Sequence, residues 1–210
     1  MKYPDISAER RLWTLGYLRV AGVDEAGRGP WAGPVVAAAV ILPPHDEHLV
    51  EHLLGVTDSK QLTPARREIL YERIGEIALG IGVGEAYARE IDALGIVAAT
   101  ELAMHRALVA LPEPPDYLLI DYMALPDVDL PQESIVKGDQ RVLSIAAASI
   151  VAKVTRDRIM VELDKRYPGY GFAQHKGYGT KAHQEALRRL GPSPVHRRSW
   201  KPVKERMASE

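Results

Sequence analysis

Residues 17–42 read YLRVAGVDEAGRGPWAGPVVAAAVIL, and this stretch decides the fold class. Its first part, residues 17–24, predicts a β-strand. Its last part, residues 34–42, is a run of Val, Ala, Ile and Leu that predicts a second strand, buried on both faces. Between the two strands, the sequence Gly27-Arg28-Gly29-Pro30 is typical of a turn.

The remainder of the chain alternates between helical and strand patterns. Thr63 followed by Pro64 predicts a helix start, and apolar spacing continues that helix to about residue 78. Further strands are predicted at residues 81–87, 117–120 and 135–136, and further helices at residues 93–111, 142–167 and 181–190. Strands followed by alternating strands and helices indicate an α/β fold with helices around a mixed sheet.

Composition excludes several classes of protein. The 210 residues are 46% hydrophobic and 26% charged and include no cysteine, which excludes thiol chemistry, zinc–thiolate sites and iron–sulfur clusters. The length suits one domain. We see no segment long and apolar enough to span a bilayer and no signal-peptide pattern, so we expect a soluble cytoplasmic protein with no membrane partner.

The net charge of −1 hides a division along the chain. Residues 137–206 contain sixteen Lys or Arg against six Asp or Glu, and the acidic excess lies in the rest of the chain. The basic part also carries Tyr170, Tyr178, His175 and Trp200, side chains that can stack on bases or sugars. This asymmetry favours a polyanionic partner over a merely solvated basic surface.

Four carboxylates fall at the ends of apolar segments. Asp24 and Glu25 end the first strand, Asp121 ends the strand that starts at residue 117, and Asp139 precedes the longest predicted helix. Adjacent strand residues face opposite sides of a sheet, so we expect the chain to leave strand geometry at about Glu25. Acids that meet at one edge of a sheet repel each other unless a cation neutralises them, and oxygen ligands select Mg²⁺ or Mn²⁺.

The chain resembles type 2 ribonuclease H, the bacterial ribonuclease HII, over residues 17–204. The resemblance is carried by an ordered set of motifs: VDEAGRGP at 23–30, AGPVV at 32–36, DSK at 58–60, ID at 120–121, KGD at 137–139, IAAASI at 145–150, AKVTRD at 152–157 and HKGYGT at 175–180. The related type 3 enzymes have a long N-terminal extension and a lysine in the glycine motif, and this chain has neither.

The resemblance implies a ribonuclease H-like fold with a mixed five-stranded sheet, flanking helices and a helical C-terminal part. It implies a catalytic domain at residues 17–206 (core 17–168, helical part 169–206), after a lead-in at 1–16 and before a tail at 207–210. The implied activity is hydrolysis of the RNA strand of RNA–DNA hybrids and cleavage 5′ to single ribonucleotides in duplex DNA. The implied products carry 3′-hydroxyl and 5′-phosphate ends.

The resemblance also implies roles for individual residues. Asp24, Glu25, Asp121 and Asp139 match the family's metal-binding acids and would hold two Mn²⁺ or Mg²⁺ ions. Our hypothesis is that Asp24 bridges both ions, Asp139 serves the water-activating one, and Glu25 and Asp121 complete the other. The main chain of Gly27, Arg28 and Gly29 would contact the 2′-hydroxyl, and Tyr178 would stack on the neighbouring deoxyribose.

Several basic residues are candidate phosphate contacts. Ser149, Lys153 and Arg156 have the spacing of one helix face, and Lys60 lies in the DSK motif. Phosphate contacts of this kind make binding weaken steeply with salt. We interpret three histidines as phosphate contacts or structural groups rather than catalytic bases: His175, His183 and His196.

Three alternatives remain open from the residues alone. They are a non-catalytic nucleic-acid-binding module, another metal nuclease such as a junction resolvase or a type 1 ribonuclease H, and a metal-dependent phosphatase. The chain has no G-x-x-x-x-G-K-[ST] phosphate loop, which disfavours the third. We expect a monomer. No clamp-binding motif is evident in residues 201–210, so protein partners and the choice between the two metals stay open.

Overall fold

A five-stranded mixed sheet forms the centre of the computed structural model, which describes residues 3–207. Most of the tail expected at residues 207–210 therefore lies outside the described residues. The strands are β1 Val20–Ala26, β2 Val35–Ile41, β3 Gly80–Ala86, β4 Tyr117–Asp121 and β5 Gln132–Ile135. Their order across the sheet is β3-β2-β1-β4-β5. The β1–β2 and β2–β3 pairs are antiparallel, and the β1–β4 and β4–β5 pairs are parallel. The predicted mixed five-stranded sheet is confirmed.

Nine α-helices lie among residues 3–207. They are α1 Ser7–Thr14, α2 Leu49–His52, α3 Pro64–Ile77, α4 Ala88–Leu94, α5 Ile96–Val109, α6 Leu143–Arg166, α7 Phe172–His175, α8 Lys181–Leu190 and α9 Lys201–Met207. Two 3-10 turns, Ser59–Gln61 and Gly138–Gln140, precede α3 and α6. In this described part of the chain, none of the helices combines the length and apolar composition that a membrane span requires.

Local sequence signals explain where several helices begin. The Thr63 hydroxyl accepts a hydrogen bond from the Arg66 amide at 3.3 Å, so the predicted cap at the start of α3 is confirmed.

The prediction of a single helix over residues 93–111 is wrong. It is two helices, because Gly95 adopts a φ of +80° between α4 and α5.

Helices cover both faces of the sheet. Ala38 and Val40 of β2 pack against α6, whereas Ala37 and Ala39 pack against α5 on the other face. Helix α6 lies directly on β1. A Cβ atom on Gly22 would come within 2.2 Å of the Ser144 carbonyl carbon, so only glycine permits this close approach.

Strand β1 continues further than the sequence indicates. Glu25 pairs with Ala37 and Ala26 pairs with Val36, so strand geometry persists beyond Glu25. The expectation that the chain leaves the strand at about Glu25 is wrong. The reason is that β2 supplies pairing partners as far as Ala26, and the turn comes at Gly27, which has a φ of +95°.

The N-terminal segment packs into the domain rather than leading loosely into it. Leu12 of α1 joins a small core with Val20 and Leu119 of the sheet. Glu9 is fully buried, and its Oε1 accepts a hydrogen bond of 2.8 Å from the Ser144 amide in the first turn of α6. Glu9 of α1 therefore caps the N-terminus of α6, the longest helix, although it lies 135 residues earlier in the sequence than Ser144.

Candidate active site

Three aspartates meet at the end of strand β1. One carboxylate oxygen from each of Asp24, Asp121 and Asp139 lies within 4.8 Å of the others, and we call this group the acidic triad. Strands β1 and β4 are parallel and pair Val23 with Ile120, which places the next residues, Asp24 and Asp121, side by side on one face. Asp139 reaches the same point from the 3-10 turn before α6.

Main-chain amides hold two of these carboxylates in place. Asp121 Oδ1 accepts a hydrogen bond of 2.7 Å from the Gly138 amide, which ties the end of β4 to the turn that carries Asp139. Asp24 Oδ1 accepts one of 2.7 Å from the Glu25 amide. The Ser149 hydroxyl on α6 also favours the charged form of Asp24. Strand and helix residues therefore orient the triad.

Electrostatics at the triad favour protonation when no cation is present. Burial is the main cause that raises the pKa of all three carboxyl groups, and for Asp139 it raises the pKa to about 6. Mutual repulsion adds to this, since Asp121 raises the pKa of both Asp24 and Asp139. Two of these carboxylates are buried and Asp121 is half-buried, and a nearby positive charge would favour the ionised form of all three.

The chemistry of the donors fits a divalent cation. The triad offers only carboxylate oxygens, which suit Mg²⁺ and Mn²⁺ and not softer metals. Lys60 is the nearby positive charge, with its Nζ 3.7 Å from Asp139 Oδ2 and its side chain 78% exposed. Partial burial lowers the pKa of Lys60, but the surrounding aspartates outweigh it and the net pKa is raised. One lysine cannot neutralise three carboxylates.

Glu25, the fourth expected ligand, lies outside the triad. It pairs with Ala37, which packs toward α5, whereas Asp24 pairs with Ala38, which packs toward α6. The Glu25 carboxylate accepts a long hydrogen bond of 3.4 Å from Arg28. Burial raises the pKa of Glu25, Arg28 lowers it and Asp121 raises it, so this carboxylate still senses the triad.

A further carboxylate, Asp58, lies beside the triad and was not singled out as a ligand. It is buried, and it accepts hydrogen bonds from the Lys60 amide at 2.9 Å and from Gln140 Nε2 at 3.3 Å. Its charge raises the pKa of Asp139. The DSK motif at residues 58–60 was the available signal, but only its lysine was assigned a role.

The glycine loop, residues 27–34, connects β1 to β2 beside the triad. Arg156 of α6 supports it from inside the protein by donating to the Pro34 carbonyl at 2.9 Å and the Ala32 carbonyl at 3.2 Å. A Cβ on Gly27 would lie 2.0 Å from Arg156 Nε, which explains glycine at this position. The loop is thus held by the helix beneath it.

Arg197 supports the same loop and was missed by sequence reasoning. Its buried guanidinium donates to the carbonyls of Gly27, of Arg28 at 2.7 Å and of Gly33 at 3.0 Å. Burial, together with the charge of Arg156, lowers the pKa of Arg197 to about 9. An arginine in a basic run looks like a surface residue, so the sequence carries no signal for this role.

Tyr178 lies next to the glycine loop, as the substrate-recognition hypothesis requires. Its side chain is 46% exposed, and its ring comes within 3.9 Å of the position that a Cβ on Gly29 would occupy. The Trp31 amide donates to the Gly177 carbonyl at 2.8 Å, which joins the loop carrying Tyr178 to the glycine loop. The two segments that are far apart in sequence form one surface.

The helix face expected to bind phosphate is largely internal. Ser149 is 2% exposed and bonds to the Ser59 hydroxyl at 3.0 Å, and Arg156 is 1% exposed. Lys153 is ion-paired to Asp157 at 2.6 Å. Direct phosphate contacts by Ser149 or Arg156 would require both side chains to leave these positions, because α6 turns that face toward the sheet and the glycine loop.

Two of the three histidines of the C-terminal part, His183 and His196, are buried, and His175 is half-buried. His183 and His196 lie against each other, with their Nε2 atoms 3.0 Å apart, and His175 stacks on His183 with ring centres 4.4 Å apart. Neither His183 nor His196 reaches the surface. Of the two roles expected for these residues, the geometry favours the structural one.

Comparison with known proteins places this site in a family. The family model described as Ribonuclease HII matches residues 21–203. A Ribonuclease HII of Chloroflexus aurantiacus is 57% identical over 206 residues, which cover 98% of this chain and 97% of the relative. One of Roseiflexus castenholzii is 58% identical over 200 residues, covering 95% and 89%.

Solved structures agree with this assignment. The crystal structure of ribonuclease H2 from Pyrococcus horikoshii aligns with a TM-score of 0.74 and 31% identity, covering 91% of this chain and 98% of that one. A ribonuclease HII from Archaeoglobus fulgidus, solved as a complex with PCNA, has a TM-score of 0.70 and 30% identity, with 89% and 96% covered. A Bst ribonuclease HIII in complex with Mn²⁺ shares the fold, with a TM-score of 0.72 at 24% identity over 94% and 71%. The chain belongs to the ribonuclease HII family of endoribonucleases that act on RNA–DNA hybrids.

Proposed function

We propose that this enzyme cuts 5′ to single ribonucleotides embedded in duplex DNA, as well as within RNA–DNA hybrids, and leaves 3′-hydroxyl and 5′-phosphate ends. One observation carries the proposal. The acidic triad lies at the end of β1, and the glycine loop with Tyr178 against it follows directly along the chain. A cutting site and a surface suited to a sugar are therefore adjacent.

Asp24, Asp121 and Asp139 are the proposed ligands of divalent ions, either Mg²⁺ or Mn²⁺. Glu25 is the proposed fourth ligand, and to join the triad its side chain would have to leave the long contact with Arg28 and turn toward the face that carries Asp24. Two bound ions supply activation of a water molecule and stabilisation of the leaving 3′-oxygen. Before the ions bind, Lys60 supplies part of the positive charge that the triad requires. Asp58 and the Gly138 amide keep the neighbouring groups in place.

The glycine loop is the proposed reader of the 2′-hydroxyl, the group that distinguishes RNA from DNA in the backbone. Arg197 already donates to the carbonyls of Gly27 and Arg28. The proposed contacts to the sugar hydroxyl come from the main chain of Gly27, Arg28 and Gly29, and because Arg197 occupies two of the carbonyls we propose that the amides make them. Glycine at position 29 leaves room for the sugar, because a side chain there would project toward the Tyr178 ring.

Tyr178 is the proposed sensor of the junction between ribose and deoxyribose. Its half-exposed ring forms a flat apolar surface beside Gly29, where the sugar that follows the ribonucleotide would stack. A 2′-hydroxyl on that sugar would have to be desolvated against the ring, which disfavours RNA at that position. Lys60, exposed beside Asp139, is the proposed phosphate contact nearest to the cleavage point.

The test is cleavage of a 5′-labelled duplex that contains one ribonucleotide, with Mg²⁺, with Mn²⁺ and with EDTA. We expect a single cut on the 5′ side of the ribonucleotide that requires the metal. The upstream product should carry a 3′-hydroxyl that a DNA polymerase extends, and the downstream product should carry a 5′-phosphate that a phosphatase removes. An all-DNA duplex of the same sequence is the control. Cleavage of the control, or cleavage in EDTA, would overturn the proposal.

A further inference from the structure

His183 and His196 are buried ionisable groups for which catalysis gives no role. His183 is the third residue of α8 and is fully buried, and His196 lies on the segment that bridges to Ala32 of the glycine loop and is 1% exposed. Phe172 packs edge-on to the His183 ring. Two further titratable side chains face the pair: His175 and Tyr170.

The direction of each hydrogen bond through the pair is determined by its two ends. At one end, His183 Nδ1 lies 3.0 Å from the Tyr178 carbonyl, which can only accept, so Nδ1 carries the proton. At the other end, the Ser193 amide donates to His196 Nδ1 at 2.9 Å, so that nitrogen carries none. His196 Nε2 therefore donates to His183 Nε2 across 3.0 Å.

This chain of hydrogen bonds requires both rings to be neutral. A proton added to His183 Nε2 would place a donor against the donor of His196. A proton added to His196 Nδ1 would oppose the Ser193 amide and leave only the Ser193 hydroxyl, 2.8 Å away, as an acceptor. Burial lowers the pKa of His183 to about 4 and that of His196 to about 3. Both rings are thus neutral, each in a single tautomer, throughout the physiological pH range.

The series of hydrogen bonds ends at the backbone of Tyr178. Its carbonyl accepts from His183 Nδ1 and from the Thr180 amide at 2.8 Å, and its amide donates to the His175 carbonyl at 2.9 Å. These bonds set the direction in which the backbone presents the Tyr178 ring. Since the ring faces Gly29, a change in that direction alters the surface offered to the sugar.

We propose that His183 and His196 are a positioning pair for Tyr178: as two neutral rings in fixed tautomers they hold the Tyr178 carbonyl, and through it the ring that reads the junction beside the glycine loop. The proposal rests on the proposed function of Tyr178. Neither histidine touches the substrate. Their effect is on the choice of substrate and not on the cleavage step.

Two substitutions at one position separate positioning from packing. In His183→Asn the side-chain amide nitrogen replaces Nδ1 and can still donate to Tyr178, although the contact with His196 is lost. In His183→Gln the amide oxygen replaces Nε2 and can still accept from His196, but the donor to Tyr178 is lost. The exposed His105 on α5 provides a control, His105→Gln, for the same chemical change far from the pair.

The assay compares kcat/KM on a duplex with one embedded ribonucleotide and on a continuous RNA–DNA hybrid. We expect His183→Gln to lose about tenfold on the single ribonucleotide and less than about threefold on the hybrid, as the loss of one buried hydrogen bond predicts. His183→Asn should keep at least half of the wild-type ratio between the two substrates. Equal losses on both substrates in both variants would show a packing role and overturn the proposal.

A double-mutant cycle tests whether the effect passes through Tyr178. If it does, adding His183→Gln to Tyr178→Ala causes no further loss on the single ribonucleotide. Independent, multiplicative losses would overturn the proposal. All variants are compared at temperatures where circular dichroism shows them folded.

A separate measurement distinguishes failure of this proposal from failure of the proposed function. If Tyr178→Ala keeps full activity on the single ribonucleotide, the sensing role of Tyr178 fails. The positioning pair is then decided by NMR on the labelled protein. Its ring ¹⁵N shifts must show His183 protonated at Nδ1 and His196 at Nε2 at pH 7, and the Tyr178 carbonyl ¹³C shift must move in His183→Gln and not in His183→Asn. The opposite tautomers or an unmoved carbonyl shift would refute the pair.

Discussion

The guanidinium of Arg197 donates a hydrogen bond to the main-chain carbonyl of Gly27, which lies 170 residues earlier in the chain. The same guanidinium donates to Arg28 and Gly33, so one buried side chain holds both ends of the glycine loop. The shape of that loop is therefore not a local property of its glycines. It depends on the C-terminal segment that passes beneath it.

Replacing Arg197 with Met should disturb the glycine loop more than the same substitution at the exposed neighbour Arg198. Methionine fills most of the volume but leaves the carbonyls of Gly27, Arg28 and Gly33 without their buried donor, which costs about 2–4 kcal/mol of unfolding free energy. We expect a matching shift in a urea titration and at least about tenfold weaker kcat/KM on a single ribonucleotide. Arg198→Met, at the neighbouring exposed position, is the control and should behave as wild type. Equal stability of the two variants would show that the carbonyl contacts are unimportant.

Neutralising one member of the acidic triad should separate activity from stability. Asp24→Asn removes a buried charge that is repelled by Asp121, so the metal-free variant should melt at the same temperature as the wild type or higher. Cleavage should fall by about 100-fold or more, because a proposed ligand of the divalent ions is lost.

Thermal melts with and without Mn²⁺ check this. The wild type should gain stability with added Mn²⁺ and Asp24→Asn should gain less, since only the folded state binds the ion. Asp129→Asn, an exposed acid after β4, serves as the control. An equal Mn²⁺ response in Asp24→Asn would remove that residue from the metal site.

Glu9, on helix α1, should contribute to the free energy of unfolding through its hydrogen bond to the start of α6. Glu9→Ala removes the acceptor for the Ser144 amide at the start of α6 and leaves a buried donor unpaired, at a cost of about 1–3 kcal/mol. Glu9→Gln keeps an acceptor oxygen and should lose less. Urea unfolding of both variants, with the exposed Glu47→Ala as a control, measures the difference. Indistinguishable midpoints for Glu9→Ala and the wild type would contradict the capping role.

The two buried histidines should lower the free energy of unfolding as the pH falls, because their rings are neutral in the folded state. Their pKa values in the folded state, about 4 for His183 and about 3 for His196, lie below the ordinary value of about 6.5 that the unfolded chain has. The unfolded state therefore binds more protons below pH 6.5. The stability that the neutral rings confer is complete above that pH and is lost progressively as the pH falls toward 4.

Urea unfolding at pH 7.5 and pH 5 measures this effect. We expect a loss of about 2 kcal/mol for each imidazole at pH 5, before other groups are counted. A variant with His196→Phe has one fewer histidine to protonate and should show a shallower dependence on pH. The exposed His105→Gln variant should keep the wild-type slope. The raised pKa values of the triad carboxyl groups act in the opposite direction in every variant. An equal dependence on pH in His196→Phe and in the wild type would therefore contradict the buried neutral pair.

The parts of the site that follow strand periodicity were predictable from sequence. Asp24 and Asp121 end neighbouring apolar runs, and parallel pairing at Val23 and Ile120 brings them together as expected. The position of Glu25 was not predictable in the same way. Whether it shares the face of Asp24 depends on where β2 stops pairing, and no residue of β1 determines that.

Burial was the main source of error for charged residues. The spacing of Ser149, Lys153 and Arg156 correctly places them on one helix face, but spacing does not say what that face contacts. Here it contacts the glycine loop, whose carbonyls substitute for water around the Arg156 guanidinium. Glu9 and Arg197 were missed for a related reason, since their partners lie more than 130 residues away.

The absence of a side chain at Gly22 has a consequence for how this enzyme tolerates sequence change. Strand β1 carries Asp24, and helix α6 begins just after Asp139. The distance between β1 and α6 at Gly22 therefore determines the distance between those two carboxylates. Any residue larger than glycine at this position would push strand β1 and helix α6 apart. We expect such a residue to increase the distance between the two carboxylates and so to weaken the binding of a divalent ion between them.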